Sequence, residues 1–159
     1  IILNFLFLMT ICYVSKTTIW FCLLAFIGIQ LQGTLYNYYY VILRNKSVGG
    51  DTTSKVFEYK SPKALPGETQ KSVDILFGIY TIVYGAFDII IHALDKDAYK
   101  VKTFPNWFMT LLSLYGLGFQ LLIIAVMLPL GWIEFIVPFF IVYTLLVFFL
   151  IAIRKVVIK

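Results

Sequence analysis

Apolar positions run almost unbroken from Ile1 to Val14, with Asn4 the main interruption before Leu8, and Ser15-Lys16-Thr17 then makes a tight turn. A second apolar run extends from Thr18 to about Leu43. The stretch from Arg44 to Ser72 is polar, and Gly49-Gly50, Pro62, Pro66 and Gly67 rule out a continuous helix there. Two further runs follow, Trp107 to Leu128 behind the helix-starting Pro105, and Trp132 to Ile153 before Arg154-Lys155, separated by the turn Leu128-Pro129-Leu130-Gly131. A helix needs about 20 apolar residues to cross a bilayer. The pattern therefore predicts an all-α membrane protein with about four transmembrane helices, over 1–14, 18–43, 107–128 and 132–153, joined by a loop over 44–104. Pro138 is expected to kink the last helix. The first run is short and carries neither a basic leader nor a small-residue cleavage pattern, so it is read as the remainder of a span that starts upstream, in an N-terminally truncated chain.

The segment 73–94 is long and apolar enough to be a fifth span. Charge decides its placement. If it lies in the interface, Arg44, Lys46, every lysine from Lys55 to Lys102, Arg154, Lys155 and Lys159 fall on one side, and only Lys16 on the other. If it crosses, six basic residues face seven. The positive-inside rule selects the first arrangement and makes the large loop and the C-terminus cytoplasmic. Trp20 and Trp132 then mark the outer boundary, and Tyr36, Tyr38, Tyr39, Tyr40 and Trp107 the inner one. Within the segment, Asp74, Gly78, Thr81, Gly85, Asp88, His92 and Asp95 recur at alternating steps of four and three, which places them on one stripe of a helix. An amphipathic interfacial helix turns such a stripe to water or head groups. A helix packed in the bundle would use the two glycines for close approach. The interfacial placement is preferred.

Composition agrees with a lipid setting: hydrophobic residues make up 61% of the 159 and charged residues 13%, against roughly 25% charged in soluble domains. The net charge of +5 does not point to nucleic acid, because the basic residues gather at the ends of the apolar runs, where anionic head groups lie. Cys12 and Cys22 sit inside apolar segments and are read as small buried residues rather than as a disulfide or metal framework.

Few constellations carry chemistry. Asp88, His92 and Asp95 stand at i, i+4 and i+7 and can in principle reach one metal ion, but no cysteine or second histidine completes a site, and the wet edge of an amphipathic helix is the preferred account. Gln30, Gly33, Thr34, Asn37 and Arg44 share one face of the second span, and Asn106, Thr110, Ser113, Gly116 and Gln120 one face of the third. Polar positions inside a membrane usually face the bundle interior or a wet cavity, so the two faces predict a polar crevice opening toward the cytoplasm with Arg44 and Lys46 at its mouth. Interhelical hydrogen bonding and head-group anchoring are the plain alternatives. Gly49-Gly50-Asp51-Thr52-Thr53-Ser54 resembles a phosphate-cradling turn without a Walker lysine, and a single histidine leaves little room for a catalytic triad.

The stretches Gly33-Thr34-Leu35-Tyr36-Asn37-Tyr38-Tyr39-Tyr40-Val41, Gly49 to Ser54, Leu76-Phe77-Gly78-Ile79-Tyr80 and Asn106-Trp107-Phe108-Met109-Thr110-Leu111 resemble the C-terminal two-thirds of bacterial CDP-alcohol phosphatidyltransferases. The resemblance implies a six-span enzyme with both termini cytoplasmic, which transfers a phosphoalcohol group from a CDP-linked donor to an alcohol and releases CMP. It also implies divalent metal, Mg or Mn, held by the aspartates of D-G-x2-A-R-x8-G-x3-D-x3-D. That signature is absent from this sequence: there is no Asp-Gly pair, and Asp88 has no aspartate four residues on. By the resemblance, 1–14 is the remainder of the third span, just past the last motif aspartate. No catalytic or metal-binding residue is assigned here, and the chain alone is expected to be inactive. Arg44, Lys46 and Asn37 are the candidate substrate-binding residues, the two cations as partners for phosphate.

The partners implied are membrane lipids and, for the complete enzyme, the CDP-linked substrate, with no nucleic acid; Gly116-Leu117-Gly118 would permit a homodimer. The expected location is the bacterial inner membrane. The alternative is a non-catalytic small membrane protein or an accessory subunit of a membrane complex. A transporter is disfavoured by the lack of an inverted repeat.

Overall fold

The computed structural model describes residues 1–47 and 60–158, and the sequence expectation over Gly49 to Ser54 lies outside them. The described chain is all helical: α1 (Ile2–Ser15), α2 (Ile19–Ser47), α3 (Gln70–Tyr80), α4 (Ala86–Leu94), α5 (Asn106–Ser113), α6 (Leu117–Met127) and α7 (Ile133–Val157). It is an all-α membrane protein. α2, α7 and the run Gln70–Leu94 are each long and apolar enough to cross a bilayer, α5 with α6 qualifies as one bent span, and α1 is a shorter apolar helix.

Two turns set the antiparallel order. Lys16 ends α1 in the left-handed conformation (φ 54°), with its N–H on the Tyr13 carbonyl and the Thr17 N–H on the Cys12 carbonyl. Gly131 (φ 75°) does the same between α6 and α7, where the Trp132 N–H reaches the Met127 carbonyl at 3.0 Å. Both are Schellman closures, which satisfy the carbonyls orphaned at a helix end and reverse the chain within a few residues.

The apolar faces pack into two cores. One, next to these turns, joins Leu8 and Ile11 of α1, Ala25 of α2, Ile124 of α6, and Ile136 and Phe140 of α7. The other, at the opposite end, joins Leu35, Tyr39 and Ile42 of α2 with Ile91, Phe108, Val147 and Ile151. Outside these cores the helices present large apolar side chains such as Trp20, Leu122, Phe135 and Leu145, a surface suited to hydrocarbon and costly in water. The second core lies at a basic end of the bundle, since Lys46 donates to the Val101 carbonyl and Arg154 reaches Asp95 there.

Four expectations are corrected. Cys12 and Cys22 are joined in a disulfide, with Cα atoms 6.3 Å apart. They flank the Lys16 turn, so the antiparallel helices bring them face to face, a consequence of topology that their apolar neighbours conceal. Purified protein kept from reductant is expected to resist maleimide alkylation at both positions and to weigh about 2 Da less than its reduced form; rapid labelling of either cysteine in native membranes counts against the bridge. Second, the span 107–128 is broken: α5 and α6 meet at 50° around Gly116, whose backbone is extended (φ −63°, ψ 148°). The Tyr143 hydroxyl donates to the freed Leu114 carbonyl at 3.2 Å. Third, Tyr38 and Tyr39 are core residues rather than members of an interfacial belt.

The fourth correction concerns the polar stripe. A π turn (Thr81–Gly85) joins α3 to α4. Its i→i+5 bonding shifts the helix phase, and the two halves of the stripe face differently. Asp74 stays exposed, bonded to Ser61 (2.5 Å) and Gln70 (2.8 Å), while Gly85 and Asp95 are buried, and Asp88 and His92 half-buried against the bundle. The outward face holds Ile75, Leu76, Ile79, Ile82, Ile89 and Ile90. Neither Gly78 nor Gly85 serves a close helix approach; a Cβ on Gly85 would meet only Thr81 of its own turn. Leu76, Ile79, Tyr80, Val83 and Tyr84 line a groove together with Ile1, Ile2 and Leu3, at the first turn of α1.

Candidate functional site

A crevice of about 310 Å³ opens between α1, α2, α6 and the α3–α4 run. α2 contributes Gln30, Gly33, Thr34 and Asn37, the face expected from their helical spacing. The opposite walls are Asn4 of α1, Gln120 of α6, and Tyr80, Tyr84 and Asp88 of the α3–α4 run. The Tyr80 hydroxyl donates to Asp88 Oδ2 at 3.3 Å, and the Tyr80 and Tyr84 rings stack with centroids 5.3 Å apart. Gln30 Nε2 is buried and has no hydrogen-bond partner among the described residues.

The expected partner face on 106–120 is only partly present. Gln120 is there. Asn106, Thr110 and Ser113 are exposed instead, and the two hydroxyls bond their own helix, Thr110 to the Asn106 carbonyl (2.9 Å) and Ser113 to the Thr110 carbonyl (2.7 Å). Local back-bonding of this kind is what short hydroxyl side chains do on a helix, and it removes them from any interhelical role.

Beneath the crevice lies an amide relay. Gln120 Nε2 donates to Gln32 Oε1 (3.0 Å) and to the Ile29 carbonyl (3.2 Å), and Gln32 Nε2 donates to Thr144 Oγ1 (2.9 Å). Gln32 and Gln120 are both buried, so the relay ties α2, α6 and α7 with every amide engaged. Gln32 escapes a reading that follows the Gln30 face, because it stands about 200° round the helix from Gln30.

The other buried polar group is an ion pair. Asp95 is fully buried and Arg154 nearly so. Arg154 Nε donates to Asp95 Oδ2 at 2.5 Å, and Arg154 Nη2 pairs with Asp95 Oδ1. The Tyr39 hydroxyl donates to the same carboxylate, and the Tyr38 hydroxyl donates to the Asp95 carbonyl at 2.9 Å and lies 3.4 Å from His92 Nδ1. A bidentate guanidinium with a phenol donor is the arrangement that makes a buried carboxylate tolerable. It also dissolves the stripe as a metal site, because Asp95 turns to Arg154 and Asp88 to the crevice. Among the described residues no three carboxylate, imidazole or thiol groups are placed to hold a metal ion. Asp97, two residues on, is exposed and bonds Lys100 at 2.7 Å; that hydrogen bond, and then the lysine charge, hold its carboxyl below the usual range.

Of the three candidate substrate-binding residues, Asn37 lines the crevice, while Arg44 and Lys46 do not. Lys46 is engaged with the Val101 carbonyl. Arg44 is exposed, two turns beyond Asn37 on the same face of α2, about 10 Å nearer the basic end. No protein-family model, no curated protein and no solved structure matches this chain.

Proposed function

We propose that this chain is the C-terminal portion of an integral-membrane CDP-alcohol phosphatidyltransferase-like enzyme of phospholipid synthesis. Such an enzyme transfers a phosphoalcohol group from a CDP-linked donor to an alcohol and releases CMP. The observation that carries the proposal is the polar crevice within an otherwise apolar bundle, lined at one edge by Ile1 and Asn4. By the family resemblance, the motif aspartates stand on the helix leading into α1, which would bring them to this edge of the crevice.

The proposal divides the chemistry. Attack on a phosphorus crowded by anionic oxygens calls for divalent metal and a general base, both supplied by the motif. Among the described residues no three ligand groups are placed for a metal, so no step is routed through one here, and on this proposal the chain alone would be inactive. Its own part is to shape the pocket. Asn37 and the amides around it bond the polar ligand, Arg44 pairs with donor phosphate outside the crevice, and the apolar helix faces hold acyl chains. Lys46, tied to Val101, serves the fold first.

The same proposal places the basic end at the cytoplasmic face of a bacterial inner membrane. The distribution of basic residues supports an interfacial placement for α3–α4, with its isoleucines toward lipid. The test is CMP release by the natural full-length polypeptide, reconstituted with CDP-diacylglycerol, magnesium or manganese, and a panel of alcohols. Acceptor- and metal-dependent release is expected, weakened by Arg44→Ala mainly through donor affinity. A natural product that lacks the D-G-x2-A-R motif and releases no CMP gives the place to the accessory-subunit alternative.

A further inference from the structure

We infer that the crevice takes a small hydroxyl-bearing ligand with no negative charge, which on the function proposed above is the acceptor alcohol. The lining supplies the chemistry. Asn4, Gln30, Thr34 and Asn37 offer amides and a hydroxyl, Asp88 is the one carboxylate, and no lysine or arginine among the described residues lines the space. Gln30 stands in this lining with its Nε2 enclosed and without a hydrogen-bond partner among the described residues. Among the described residues Asp88 accepts one long bond, from Tyr80 at 3.3 Å, so its carboxylate has room to accept from a ligand hydroxyl or ammonium group.

A phosphorylated alcohol meets the opposite environment. Its phosphate would be desolvated beside the Asp88 carboxylate with no lysine or arginine side chain among the described lining residues to offset either charge, and burying unpaired like charges is strongly unfavourable. The nearest cation on the same face of α2, Arg44, stands about 10 Å away along the helix. Size agrees: about 310 Å³ is at the low end of the range for small-molecule sites, room for a head-group alcohol and too little for a nucleotide-linked lipid. The wall at Gly33 is open, since a Cβ there would meet nothing within 4 Å.

The inference rests on the proposed reaction for the ligand's role, yet its test uses neither donor nor metal. Thr34→Cys in the full-length protein, in nanodiscs, is labelled with an uncharged maleimide in the presence of myo-inositol, ethanolamine, inositol 1-phosphate or glycerol 3-phosphate. The unsubstituted protein reports the background from Cys12 and Cys22, and Asn37→Cys serves as the second reporter if Thr34→Cys does not fold. Myo-inositol or ethanolamine is expected to slow labelling roughly fivefold, the protection reached when ligand stands at about four times its Kd. The two phosphorylated probes are expected to leave the rate unchanged in the native site and to begin protecting after Asp88→Asn. Protection by a phosphorylated probe equal to that by the uncharged or cationic ones overturns the inference, and so does an absence of protection by all four. CMP release without this selectivity leaves the reaction standing and removes the site, whereas protection without CMP release removes the reaction alone.

Discussion

Replacing Asp95 with asparagine is expected to destabilise the bundle by about 3–5 kcal/mol, the usual cost of leaving one member of a buried ion pair uncompensated. Arg154 is almost wholly enclosed, so its guanidinium would be left in the core without its carboxylate partner. Asparagine retains the shape and one acceptor for Tyr39, which isolates the loss of charge from the loss of packing. Arg154→Met should cost a similar amount for the converse reason, with Asp95 left among Tyr38, Tyr39 and the core around Ile91. The double variant Asp95→Leu with Arg154→Met is expected to regain most of the loss, since an apolar pair of similar volume replaces an ionic pair with little net change. Tyr39→Phe should be milder, about 1–2 kcal/mol, for one hydrogen bond to a charged acceptor. Unfolding in mixed micelles by SDS titration, read by helical circular dichroism, measures all four. An Asp95→Asn variant within about 1 kcal/mol of the parent, or a double variant no better than the singles, would defeat this account of the pair.

The pair matters beyond stability because of where it stands. It fastens the end of α4 to the last turns of α7, and the helix fastened there carries Tyr80, Tyr84 and Asp88, one whole wall of the crevice. Loss of the lock should therefore reduce the ligand protection at Thr34→Cys even in molecules that remain helical.

Much of the fold could be read in advance because it rests on local pattern. Apolar runs ended by Ser-Lys-Thr and by Pro-Leu-Gly define the two Schellman turns, and spacing alone groups Gln30, Gly33, Thr34 and Asn37 on the crevice face of α2. Periodicity says which residues share a face and is silent about what lies opposite. The stripe of Asp88, His92 and Asp95 was thus correctly assembled and wrongly turned, toward water instead of toward α2 and α7. Arg154 followed the same logic: an arginine in the last turn of a span looks like a head-group anchor until a carboxylate 59 residues earlier is folded against it. The only available hint was their complementarity, one buried-side acid and one late arginine at the same end of the bundle. Asn106, Thr110 and Ser113 misled for a different reason. They share a helical face, but the Thr110 and Ser113 hydroxyls are satisfied locally, and the 50° break at Gly116 separates that face from Gln120. For the disulfide, the sign was a ten-residue spacing centred on a tight turn, outweighed by the apolar company of both cysteines.

The tightest constraint in the helix packing predicts the second large effect. Gly28→Ala is expected to cost about 1–3 kcal/mol, although alanine is the better helix former by about 1 kcal/mol at an unconstrained position. A methyl group there falls on Thr144 Oγ1 across the contact between α2 and α7. Thr144 is not free to yield. Its hydroxyl donates to the Phe140 carbonyl at 2.7 Å and accepts from Gln32 Nε2 at 2.9 Å, so rotating it away unpairs a buried amide. Rotation also leaves Thr144 Cβ 3.2 Å from the new carbon, a contact that asks for a further few tenths of an ångström between the helices. The helices must separate, and with them the amide relay to Gln120 that floors the crevice. Thr144→Ala alone should cost about 1 kcal/mol for the lost hydrogen bonds, and combined with Gly28→Ala it should recover part of the clash, giving a favourable coupling of about 1–2 kcal/mol. Gly33→Ala is the control: it lies on the same helix with nothing within 4 Å of the added carbon, and it should be neutral or stabilising by up to about 1 kcal/mol. Additive behaviour of Gly28→Ala and Thr144→Ala, or equal effects at Gly28 and Gly33, would show that α2 and α7 are not held as closely as this geometry requires.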